Sequence, residues 1–125
     1  MTVVKLRPSE TVELDHALLE NLYQELGTKA ADSVVLRAME ELAVRLSKID
    51  RNFKAGQIED VRHAARSMVA VAEQIGMVTF ARVANDVTGL AARHDDAGLA
   101  AAVERLMRIG ENSLLAVWDL QGVSL

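Results

Sequence analysis

Apolar residues return every three to four positions along most of this chain, and single glycines cut the pattern before any run grows long. That spacing matches the 3.6-residue turn of an α-helix rather than the two-residue alternation of a half-buried strand. Ala31, Val34, Val35, Ala38, Leu42, Leu46 and Ile49 make one such run; Gly56 breaks it and Gly76 closes the next. Composition points the same way, with 50% hydrophobic residues, only 3% aromatic ones and a single proline. A core of Leu, Val, Ile, Ala and Met suits packed helices, because aromatic residues are a normal part of sheet composition. The spacing predicts helices over 29–54, 57–75, 79–93 and 96–120, preceded by a short helix over 12–26 that Asp15 caps and Gly27 ends. Gly110 falls inside the last of these, where glycine costs about 1 kcal/mol relative to alanine. Short connections make successive helices antiparallel neighbours. The expected fold is therefore all-α, an antiparallel up-down four-helix bundle with an additional short N-terminal helix. Residues 1–11, which hold the proline, read as an N-terminal arm, and 12–125 as one bundle domain.

Several function classes drop out. With no cysteine, there is no disulfide, thiolate nucleophile or Cys-type zinc site. No apolar run approaches the roughly 20 residues needed to span a bilayer, and the N-terminus lacks a signal-peptide core, so no membrane partner is expected and the cytoplasm is the default location. A net charge of −4 disfavours nucleic acid, although residues 61–94 hold four Lys/Arg against two Asp/Glu. No cofactor is expected: Gly27, Gly56 and Gly76 end helices rather than open a phosphate loop, and the Glu-x-x-His on two inward faces that a di-metal bundle needs is absent. His94 beside Asp95 and Asp96 has metal-ligand chemistry, but a helix–helix turn accounts for the trio more simply. His16 reads as surface, Glu41 and Arg45 as an i,i+4 pair, and Tyr23 and Trp118 as core or cap residues. A bundle complete in itself implies a monomer.

The third helix carries the most informative surface. At 100° per residue, Ile58, Val61, Ala65, Met68, Ala72 and Ile75 fall in a stripe about 100° wide, which is the core face. Glu59, Arg62, His63, Arg66, Ala70 and Glu73 occupy the opposite and flanking arc, with His63 nearly diametrically opposite the core. His63 and Arg66 lie three residues apart, separated by about 60° and about 4.5 Å of rise. An exposed imidazole is largely neutral and nucleophilic at pH 7, and a neighbouring guanidinium can hold a phosphoryl oxygen.

The stretches LDHALLENLYQELG, RLSKIDRNFKAGQIEDVRHAARSMVAVAEQIGM and FARVANDVTGLAARHDDAGLAAAVERL resemble the histidine-containing phosphotransfer (Hpt) domain of bacterial phosphorelays. The resemblance extends over roughly residues 14–118. It implies a bundle that exposes a histidine in the pattern His-x-x-Lys-Gly, followed by a Leu/Ile-Gly that closes the helix. Such a histidine takes phosphate from an aspartate of one receiver domain and passes it to another. Counting ten residues back from Gly76 reaches Arg66, which puts Arg66 at the acceptor position, Val69 at the lysine and Ala70 at the first glycine. His63-Ala64-Ala65-Arg66-Ser67 imitates the motif itself, but its histidine stands thirteen residues before Gly76.

Three readings stay open. The first is an Hpt-type phosphorelay protein that docks response-regulator receiver domains, with a sensor kinase as a further candidate partner. His63 is then the sole candidate phosphoacceptor and Arg66 its cationic aid. The second is a pseudo-Hpt adaptor that docks receivers with Arg66 at the former acceptor position. The third is a helical scaffold unrelated to signalling. On either of the first two, the expected docking surface comprises Arg62, His63, Arg66, Val69, Ala70 and Glu73, with Arg82 from the next helix.

Overall fold

The structure, a computed structural model, describes residues 10–121. Residues 1–9, most of the expected arm, lie outside the described residues. Five helices follow in order: α1 (His16–Leu26), α2 (Thr28–Lys54), α3 (Ile58–Gln74), α4 (Val78–Ala92) and α5 (Asp96–Leu120). The class is all-α, and the four long helices begin and end within a residue of the ranges their periodicity predicts.

The helix boundaries have local causes. Asp15 caps α1, its Oδ1 accepting from the Leu18 amide at 3.0 Å, and Asp95 caps α5 through the Gly98 amide at 3.0 Å. Three helices end on one device, a residue in the left-handed region flanked by two reversed backbone hydrogen bonds. After α3, Gly76 takes φ +73°, the Met77 amide donates to the Ala72 carbonyl at 3.0 Å, and the Gly76 amide donates to that of Glu73 at 3.2 Å. Gly56 ends α2 in the same way; at the end of α4 the left-handed residue is His94, with φ +58°.

The first helix is shorter than predicted. It begins at His16 rather than near residue 12, because the backbone preceding it is claimed by the α3–α4 turn. The Asp15 amide donates to the Gly76 carbonyl at 2.7 Å, the Val78 amide donates to the Glu13 carbonyl at 3.1 Å, and the Glu13 amide donates to Thr79 Oγ1 at 2.8 Å. Leu14 and Met77 form an isolated antiparallel bridge. Glu10 then reaches α5, pairing with Arg105 at 3.0 Å and Arg108 at 3.6 Å. Residues 10–15 thus form a strap across the bundle.

Packing closes a ring: α2 lies against α3 and α5, α4 lies against α3 and α5, and α1 rests on α2. Val61, Ala65, Met68, Ala72 and Ile75 of the α3 stripe are fully buried, together with Leu42, Ile49, Phe80, Leu106 and Ile109 from the other helices. Complete burial of a side chain of Val, Leu or Met size contributes roughly 1.5–3 kcal/mol, so this stripe is what fixes the rotation of α3. Ile58 departs from expectation. It opens α3 at the end of the bundle and is only half-buried. Gly110 does not interrupt α5, and its place there is explained by a close helix crossing: a Cβ at Gly110 would lie 2.6 Å from Leu46 Cδ1 on α2. No helix among the described residues is long and apolar enough to cross a membrane.

Candidate functional site

With its core stripe pinned, α3 presents its remaining side chains outward: His63 and Ser67 border one groove, Val69 and Glu73 another, and Arg62, Arg66 and Ala70 line neither. Its first turn carries Glu59 and Asp60, which complement the positive end of the helix. Glu59 does more than that. Its Oε1 accepts from Arg62 Nε at 2.8 Å and from the other arm of the same guanidinium, and it stands 3.7 Å from His63 Nε2. The Arg62 hydrogen bond, reinforced by the charges of Arg62 and His63, holds the Glu59 carboxyl below the usual carboxylate range, and the same bond raises Arg62. Arg62 is therefore folded back along its own helix and is half-buried rather than projecting.

Toward α4, a groove of about 520 Å³ runs along α3 and gathers Val69, Glu73 and Arg82, three of the residues expected at the docking surface. Val69 is half-buried and forms an apolar wall, while Glu73 and Arg82 are exposed. Arg66, one turn before Val69 and Ala70, is exposed and makes no ion pair with any carboxylate among the described residues. Ala70, also exposed, leaves the adjoining ridge without bulk. Sequence reasoning missed Asp15, Leu18 and Asn85, which line the same groove. Asn85 stands one turn after Arg82 on α4, within reach of the same helical spacing, whereas Asp15 and Leu18 had no local signal, since α1 and the strap reach this face only through the Gly76 turn.

His63 borders a different groove. It lies between α2 and α3, with a volume of about 580 Å³, and brings Arg45, Lys48 and Asn52 of α2 beside Asp60, His63 and Ser67 of α3. The His63 side chain is 67% exposed, as expected. Arg45 is partly committed: its Nε donates to Ser67 Oγ at 3.0 Å, and it pairs with Glu41 at 3.5 Å. The two candidate chemical residues thus separate, His63 toward α2 with Arg45 and Lys48 nearby, and Arg66 on the ridge leading to the α4 groove. Among the described residues no three His, Asp or Glu side chains group as metal ligands.

No family model and no curated protein matches the chain. Among solved structures it is similar to the crystal structure of histidine-containing phosphotransfer protein B (HptB) from Pseudomonas aeruginosa PAO1, with a TM-score of 0.80 over 88% of this chain and 95% of that one. At 19% identity the likeness is one of fold.

Proposed function

We propose that this chain is a receiver-docking bundle of Hpt type, its four long helices alternating up and down, which binds response-regulator receiver domains through the α3–α4 face. The observation that carries this reading is the position of Arg66, an uncommitted guanidinium on a ridge of small and apolar side chains beside a groove that holds Glu73 and Arg82. Receiver phosphorylation pockets are acidic in the family picture, and a fixed cation at the former acceptor position is complementary to such a pocket. Docking without transfer follows from the same geometry, because Arg66 has no nucleophilic nitrogen to offer. The likeness in fold to HptB supports the class, and the partner is inferred from it.

A second reading is favoured by one observation. His63 is exposed and shares its groove with Arg45 and Lys48, cations suited to a phosphoryl group. In that reading an imidazole nitrogen displaces the receiver aspartate from phosphorus and carries the phosphoryl group. Incubation with phosphorylated receiver separates the two. Docking without transfer gives saturable binding, no acid-labile alkali-stable label, and weakened binding in Arg66→Ala. A label lost in His63→Gln establishes transfer instead.

A further inference from the structure

Between α1, the start of α2 and the end of α5 lies a cleft of about 370 Å³ that shares no residue with either groove of α3. Its floor is the buried side chains of Leu19, Val35 and Val117. Three polar groups at one wall hydrogen-bond to one another, while Gln121 Oε1 is buried without a partner among the described residues. Tyr23 donates its hydroxyl to Asp32 Oδ1, and Gln121 Nε2 donates both to that oxygen at 3.2 Å and to the Tyr23 hydroxyl at 3.1 Å. Burial and the adjacent Asp32 push the Tyr23 hydroxyl above its ordinary range, so it stays protonated and remains a donor at neutral pH.

Asp32 is thereby held by one oxygen, while no donor among the described residues reaches Oδ2. Glu20 adds a second carboxylate at the rim and His16 an imidazole, and no lysine or arginine lines the cleft. The opening of α2 brings a positive helix end, worth about half a charge and confined to the first turn. Two full carboxylate charges outweigh it, and α5 ends here with carbonyl groups of favourable sign. An apolar floor beside a carboxylate with one oxygen immobilised and the other open to the cleft is the complement of an apolar group bearing an ammonium.

We propose that this cleft binds a small apolar amine, with the ammonium on Asp32 Oδ2 and the hydrocarbon on Leu19, Val35 and Val117. The test is a titration of the full chain, followed by amide NMR, with n-hexylammonium and with n-hexanol as the uncharged counterpart. Saturable shifts are expected in α1, the first turns of α2 and the end of α5, with hexanol binding about tenfold more weakly. Asp32→Asn keeps an oxygen for Tyr23 and Gln121 but removes the charge, and should bring the ammonium down to the level of the alcohol. Absence of saturable shifts up to about 10 mM, equal affinity for the two probes, or an unchanged preference in folded Asp32→Asn would each overturn the proposal. If Asp32→Asn melts well below wild type, Leu120→Trp serves in its place. Leu120 is 49% exposed at the rim, and the larger ring should close the cleft and abolish the shifts; shifts that persist count against the site.

Discussion

Arg66 and His63 stand three residues apart on one helix, yet they answer to different neighbours, and this separation decides what each substitution should do. Arg66→Ala is expected to weaken receiver binding about tenfold at low ionic strength and by less at high salt, because the lost term is an exposed charge and is screened. His63→Gln should leave that affinity nearly unchanged. Calorimetric titration at two salt concentrations checks both. His94 shows a different kind of residue effect. It occupies a left-handed backbone position that glycine adopts without cost, so His94→Gly should raise stability by about 0.5–1 kcal/mol in a denaturant titration. The exposure of His63 was legible in the sequence because a helical wheel needs only local information. The company it keeps was not: Arg45 and Lys48 stand fifteen or more positions away, and only the packing of α2 against α3 brings them near.

At the scale of elements, α4 is notable for how its first turn is satisfied. Its N-cap residue Met77 offers no side-chain acceptor, and the strap supplies one in its place, the Glu13 carbonyl accepting from Val78 and Thr79. Thr79→Val should cost about 1–3 kcal/mol, since it leaves the Glu13 amide without its acceptor at a part-buried site. The strap's outer end responds to pH. A hydrogen bond from Arg105 holds the Glu10 carboxyl below the usual range, so its ionised form is favoured by folding. That contribution is complete at neutral pH and is lost as pH falls through the lowered folded value. Wild type and Glu10→Gln should therefore differ slightly near pH 7 and converge in acid, as followed by thermal melts. The four long helices were readable because each carries its own periodicity. Asp15 caps the first helix as its sequence suggests, but residues 12–14 do not join it, because the claim of the Gly76 turn on their backbone comes from more than sixty positions away.

For the molecule as a whole, the ring of helices leaves the α3–α4 face as a surface that substitution can alter without disturbing the core. Ala70→Trp, placed on the exposed ridge, should abolish receiver binding while leaving helicity and melting temperature near those of wild type; unchanged affinity would remove this face from consideration. Gly110→Ala tests the opposite case. The gain in helix propensity is about 1 kcal/mol, while the added methyl must displace the end of the Leu46 side chain at a cost of about 1–3 kcal/mol, so a net loss of up to about 2 kcal/mol is expected. The strap has a further consequence, for the order in which the molecule assembles. Consecutive helices meet across short turns and α2 closes the ring against α5, with Asp32 and Gln121 in contact across 89 positions; the strap adds Glu13 to Thr79 across 66 and Glu10 to Arg105 across 95. Contacts of such separation carry a large loop-closure entropy, and the six residues of the strap have little apolar surface of their own to offset it, so the strap is expected to dock onto helices already packed. In stopped-flow experiments Thr79→Val should leave the refolding rate almost unchanged and place nearly all its cost in faster unfolding, which makes the strap a brake on opening rather than a guide to folding.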